Sequence, residues 1–455
     1  MPRCRAESFV LATAFAILAA APGGLAQTSS SRVDQEVGSE LPSLVGTYKS
    51  LHEAPELSGH EQKTSAFIAD QLRALGFTVI DHIGKYEDPS LTGYGVAAVM
   101  KNGSGPTVLV RTELDALPVT EATGLPYAST VKTKNPDGQE VGVMHACGHD
   151  IHMTSFLGTA RALVEMKDRW HGTLEMIAQP AEEIGKGADA MLSDGLYQKI
   201  PKPDYVLALH DSSQLEAGKV AYCPGYALAN IDSVDITLRG VGGHGAMPSH
   251  TKDPVVLAAE TVIAIQTIAS REISPLDPIV VTVGSIHGGT KRNVIPDQVV
   301  LQLTVRTYKP EVREKVLAAL RRIPKGLAEA AGIPKDRMPM VTVSKTERGD
   351  ALYNDPALAA RMAKVWEKAF GKENVLRIPP EMVSEDVGHF GLDRTIPVLQ
   401  FRIGAVAPAL MKEHMETGKP LPPLHSALFA PLPGPTIRTG VKAMTVAVLD
   451  LMGQD

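Results

Sequence analysis

Between residues 94 and 229, short apolar runs alternate with segments of helical period, and that alternation leaves few architectures open. YGVAAVM (94–100), PTVLVRT (106–112), GTLEMIA (172–178) and DYVLALH (204–210) have the length and composition of strands. A helix is expected from about Asp150, with Met153, Phe156, Leu157, Ala160 and Val164 on one face. Upstream, a helix begins near Leu41 and another near Gly59, where Phe67, Ile68, Leu72 and Leu75 recur at helical spacing until Gly76 stops it. Short apolar strands separated by helices bury both faces of their sheet. The expected class is therefore α/β, a mainly parallel sheet with helices on both faces.

The pattern changes near residue 230. SVDITLRG, PIVVTVGSI, DQVVLQLTVRT and MPMVTVSKTE read as strands, with helices starting at Asp253-Pro254 and in PEVREKVLAALRRI. The order βαββαβ predicts a four-stranded sheet with two helices on one face. Residues 230–347 are thus expected as an inserted domain between two parts of a catalytic domain, 41–229 and 348–455. The second part resumes with a helix near 356–370 and the strand TIPVLQFRIG.

The 455 residues exceed what one ordinary core holds. Arg3 and Arg5 precede an apolar run from Phe9 to Ala21, then Gly24-Leu25-Ala26, so residues 1–26 read as a signal peptide and the protein as exported, to the periplasm or beyond. Residues 27–40 read as a flexible leader, and no other stretch reads as long and apolar enough for stable membrane insertion. A net charge of -6 with no long basic run argues against nucleic-acid partners. Cys147 and Cys223 remain after the signal, the default disulfide pair of an exported protein. That pairing is set aside because Cys147 belongs to a ligand-like cluster.

Candidate chemistry gathers where strands end. Glu113 and Asp115 follow the second strand, Glu182 and Glu183 the third, and His210 ends the fourth. Ligands of open parallel sheets bind beyond the carboxyl ends of strands. MHACGHDIHM (144–153) adds His145, Cys147, His149, Asp150 and His152 at the start of a helix. Thiolate, imidazole and carboxylate are donors for zinc or another divalent transition metal. Asp150 could instead cap the helix. In Glu182-Glu183, one carboxylate can hold a metal while its neighbour takes a proton from water.

These segments, with LHEAPELS (51–58), ELDALP (113–118), QPAEE (179–183), GGHGAMP (242–248), NVIP (293–296), SED (384–386) and LHSALF (424–429), resemble the aminoacylase and carboxypeptidase superfamily of metallo-amidohydrolases. The chain is similar to its branch of hippurate hydrolases, indole-acetyl-amino-acid hydrolases and N-acetyl-amino-acid deacetylases. The resemblance implies two divalent ions per subunit (zinc, manganese, nickel or cobalt), held by Cys147, His149, Glu183, His210 and His425, with Cys147 bridging. It implies Glu182 as general base and Asp115 as a residue orienting a ligand from behind. His244 and Asn293 would bind substrate from the inserted domain, often across a homodimer interface. Glu113 departs from the branch, which usually carries Asp there, and His425 is followed by Ser426 where a second His is frequent.

The implied reaction is hydrolysis of the amide bond of a small N-acyl amino acid. A free substrate carboxylate calls for a basic partner; Lys291, Arg292 and Arg306 are candidates, against the plainer reading as solvated surface charges. An exopeptidase on the same scaffold is the alternative. A non-catalytic binding protein would not need a base beside its ligands, and no G-x-S-x-G elbow supports a serine hydrolase.

Overall fold

The computed structural model describes residues 1–2, 29–134 and 138–453. Apart from Met1 and Pro2, the signal-peptide reading of residues 1–26 lies outside them.

The main sheet has eight strands in the order Thr78–Ile83, Gly95–Asn102, Gly172–Gln179, Thr107–Glu113, Tyr205–Glu216, Val398–Val406, Val220–Tyr222, Val375–Arg377. From Gly172–Gln179 through Val398–Val406 the pairings are parallel. Gly95–Asn102 runs antiparallel to both its neighbours, because the connections from Thr78–Ile83 and on to Thr107–Glu113 are both too short for a crossover helix. All nine residues of Val398–Val406 are buried, as a central parallel strand requires.

One face of the sheet is covered by helices Ser29–Glu53, His149–Glu165 and Pro433–Met452. Leu44, Tyr48, Phe156, Leu157 and Met444 share the core there. Each such side chain contributes about 1.5–3 kcal/mol by leaving water. Gly187–Ser193 and Leu196–Lys199 cover part of the other face, packing Met191 and Leu196 with Val206, Ala208 and Phe390.

The flexible-leader expectation for 27–40 is corrected. A helix starts at Ser29, twelve residues before Leu41, and its Val33 and Val37 are 0% and 1% exposed. Val33, Val37, Leu44, Tyr48 and Leu51 fall on one helical face, a period hidden by the polar residues between them. Arg32 and Lys442 fasten this helix through Asp168 and Asp34 at 2.8 and 2.9 Å.

The second sheet is antiparallel, in the order Val280–Gly288, Gln298–Arg306, Ile231–Arg239, Met340–Gly349, with helices Pro254–Thr267 and Pro310–Ala330 sharing its core. Asp253 caps the first helix by accepting the Val255 N–H at 2.8 Å, with Pro254 in the first turn. By length and composition Pro254–Glu272 is apolar enough to cross a bilayer, contrary to the sequence expectation. Here it lies on the sheet, burying Leu257, Ala258 and Ile265 while Val256 and Ile263 are exposed. Ile231 pairs with Gly349, so the chain leaves the main sheet and returns beside itself. Buried Asn230 ties this crossing to Thr307, donating to its hydroxyl at 2.6 Å and accepting its N–H at 2.8 Å.

Candidate metal centre

Strand Thr107–Glu113 ends at Glu113 and leads to Asp115. Strand Gly172–Gln179 leads to Glu182 and Glu183 through Ala181, whose φ of 53° is left-handed. Strand Tyr205–Glu216 carries His210 in its interior rather than at its end, as the sequence had suggested. Helix His149–Glu165 opens directly after Gly148, at φ 78°. His425 sits at φ 64° before the last helix, where its N–H donates to the Ala146 carbonyl at 2.8 Å.

These elements bring five side chains together. Cys147 Sγ lies 3.5 Å from His210 Nε2 and 3.3 Å from His425 Nε2. His425 Nε2 is 3.5 Å from Glu183 Oε2. His149 Nε2 stands 3.8 Å from both Glu183 Oε1 and Glu182 Oε2. His149 Nδ1 donates to the Asp115 carbonyl at 2.8 Å, and His210 Nδ1 to the Asp211 carbonyl at 2.7 Å. Those bonds leave each Nε2 lone pair turned toward the cluster, the arrangement metal-ligating imidazoles adopt.

The donors fit cations. Among the described residues, His149 Nε2 and Glu183 Oε1 are buried without a hydrogen-bond partner, as are Asp115 Oδ1 and Asp211 Oδ2. Such orphans are costly unless something else satisfies them. Burial, and then the crowding of Glu385 and Glu183, pushes the Glu182 carboxyl well above the usual range. Burial raises Glu183 to about 7 against the pull of His149. Burial and the carboxylates Glu183 and Glu182 likewise hold the Cys147 thiol up. Although burial opposes its charge, His149 rises to about 10 beside Asp115, Glu113 and Glu183. The site carries excess negative charge, and protons stand where divalent cations would. Thiolate, imidazole and carboxylate together suit zinc, manganese, cobalt or nickel.

The rest of the His-rich segment supports this cluster. His152 bridges Glu113, at 3.0 Å from Nδ1, and Asp211, whose N–H donates to Nε2 at 2.9 Å. Asp150 contacts His52 Nδ1 at 2.6 Å besides accepting the Ile151 N–H at 2.9 Å. His145 is buried with both ring nitrogens unpartnered among the described residues, and burial lowers it to about 4. Glu113 pairs with the buried Arg111, which also reaches Glu385 at 2.9 Å and Asp386 at 3.0 Å. Burial disfavours the charged form of Glu113, but Arg111 and His152 outweigh it and hold the carboxyl well below the usual range. Asp115 accepts from Ser58 at 2.6 Å and from the Glu183 N–H at 2.9 Å, so it fixes the turn that presents Glu183.

His244 and Asn293 lie exposed on the second sheet's unit, and the strand end places Arg306 half-buried there. Among the described residues, none of the three makes a hydrogen bond or ion pair with the five clustered side chains. Lys291 and Arg292 are exposed. Cys147 and Cys223 are both free thiols, in agreement with setting the disulfide aside.

Four supporting residues were given no role in the sequence reading. Glu61 accepts the N–H groups of Gly59 and Ala181, both at 2.8 Å, and so clamps the turn before Glu182. Asp211 lies under Gly148 and beside His210. Glu385 and Asp386 anchor Arg111 from the SED segment, which the motif flagged without a role. Glu61 and Asp211 had only adjacency to named motifs as a signal.

A profile of Peptidase family M20/M25/M40 matches residues 109–418. The chain belongs to that family. It is 35% identical over 348 residues to the N-acetyl-L-cysteine deacetylase of Bacillus subtilis, covering 76% of this chain and 77% of that protein. It is also 35% identical over 349 residues to thermostable carboxypeptidase 1 of Saccharolobus solfataricus, covering 76% and 82%. A solved Bacillus subtilis structure described as a dinuclear metal binding peptidase from the M20 family superposes with a TM-score of 0.71 at 26% identity, covering 91% of this chain and 99% of that one. This M20 chain is a hydrolase of amide or peptide bonds that depends on a pair of metal ions.

Proposed function

We propose that the M20 chain hydrolyses the amide bond of small N-acyl amino acids, with Glu182 as proton carrier beside ions held by Cys147, His149, Glu183, His210 and His425. One observation carries the reading. Glu182 stands at the edge of a cluster whose other members are oriented ligands, 3.8 Å from His149 Nε2, and among the described residues its carboxyl accepts no hydrogen bond that would fix it as a structural support. A binding protein would not need such a carboxyl. When bound, divalent cations supply Lewis acidity and bring the pKa of a water from about 15.7 towards about 7. Glu182 takes the proton of the attacking water as its oxygen bonds the carbonyl carbon. It then returns that proton to the amine nitrogen as the C–N bond breaks. Asp115 and Glu61 keep the Ala181–Glu183 turn rigid during this exchange. His244 would meet the carbonyl oxygen only after the second unit closes, or from a second copy of the chain. We read residues 1–26 as the signal that exports this activity.

The deacetylase relative favours release of an acyl group; the carboxypeptidase relative favours the exopeptidase reading. An amine-release screen of N-acetyl and benzoyl amino acids against dipeptides separates them. Glu182→Gln is expected to keep two metals per chain and lose about 10²–10⁴ in kcat. Near-parental turnover would remove Glu182 from the mechanism.

A further inference from the structure

Resting on that reading, we propose that Arg402 is the residue that binds the free carboxylate of the substrate's amino-acid half. Arg402 and His210 are register partners on the parallel strands Val398–Val406 and Tyr205–Glu216. Paired residues of parallel strands project from the same face, so Arg402 stands one strand spacing, about 4.8 Å, from a clustered histidine.

Arg402 is 9% exposed, and among the described residues its buried Nη1 has no hydrogen-bond partner. A buried arginine usually satisfies its fork with a bidentate acid. Among the described residues Arg402 has a single 3.3 Å contact, from Nη2 to Glu381, whose side chain is 51% exposed. Compare Arg313, held by both oxygens of Asp232 at 2.7 Å. Arg402 therefore keeps unspent donor capacity beside the metal centre, and Glu381 occupies the place of a carboxylate without binding as a structural partner does. A cleft lined by Tyr222, Cys223, Asn354, Glu381 and Gln400 adjoins it. Glu381 also donates its N–H to the Ala227 carbonyl at 2.9 Å, on the segment leading to the second sheet. Movement of that segment would withdraw Glu381 and open Arg402 to the substrate.

The test compares an N-acyl amino acid with its carboxamide counterpart. Wild-type enzyme should prefer the free acid. Arg402→Gln should lower kcat/KM for the acid by about 100-fold, chiefly through KM, and abolish the preference; Arg402→Lys should recover only part of it. Glu381→Gln removes the competing anion and should lower KM for the acid a few-fold, an effect that a folding defect would not produce. Equal losses on acid and amide in Arg402→Gln, or an unchanged or raised KM in Glu381→Gln, would overturn the assignment. Wild-type hydrolysis of acid and amide at equal rates would overturn Arg402 alone. Hydrolysis of neither would overturn the N-acyl amino acid reading with it.

Discussion

Substituting Gly148 by alanine probes how the backbone builds the metal centre. Gly148 lies between Cys147 and His149 at φ 78°, a conformation that costs an L-residue about 1–2 kcal/mol. A Cβ there would meet the Asp211 carboxylate, with Oδ2 at 2.4 Å and Cγ at 2.6 Å. Asp211 cannot retreat freely: its Oδ1 is 3.2 Å from His152 Nε2, and its carbonyl holds His210 Nδ1 at 2.7 Å. Relief would shift Asp211 by roughly 1 Å, enough to break hydrogen-bond geometry. With one buried charged contact weakened, the total cost to folding is about 3–5 kcal/mol. Because both flanking ligands and His210 move, metal affinity should fall at least about 10–100-fold, the range seen when supports of ligands are altered. Calorimetric titration of metal-stripped Gly148→Ala, alongside thermal melts, reads both quantities. Parental affinity with two ions per chain would refute the claim that the Cys147–His149 turn needs a glycine there to let the Asp211 carboxylate pack beneath it.

Further outcomes follow from other buried groups. Glu175 is 0% exposed, has among the described residues no partner for either oxygen, and burial raises it from 4.5 to about 8. The folded state thus keeps a proton that the unfolded chain has released, and stability should fall by about 1.4 kcal/mol per pH unit between those values. Glu175→Met should flatten that slope in urea melts and raise stability most at pH 9; an unchanged slope would refute it. Chelation should abolish activity, lower Tm and increase labelling of Cys147 by a thiol reagent, read by peptide mass mapping. Equal labelling of stripped and metal-loaded enzyme would argue against Cys147 as a ligand. Together with the Glu182 and Arg402 substitutions, these tests address base, ligands, scaffold and specificity separately.

The strands, the inserted unit and the donors up to His210 could be read from the chain because each carries a local signature, whereas His425 came only with the family resemblance. Period-two or continuous apolar runs mark strands, Gly76 and Pro254 punctuate helices, and His149 and Glu183 lie within dense motifs. The first part of Ser29–Glu53, before Leu41, escaped because its buried face is sparse, so that only packing against Pro433–Met452 turns Val33 and Val37 into core residues. The antiparallel Gly95–Asn102 escaped because an apolar run has the same composition in either direction.

What the sequence determined by itself was the inventory: which donors the chain owns, which lie at strand ends, and which segments bury both faces. Only the tertiary structure decided their division of labour. It set His152 between Glu113 and Asp211 rather than among the clustered donors, and carried His425 across 278 positions to within 3.3 Å of Cys147. It placed Arg402 next to His210. The reason is physical: residue type fixes what a side chain can bind, whereas strand register and helix packing, which depend on distant parts of the chain, fix what stands within reach.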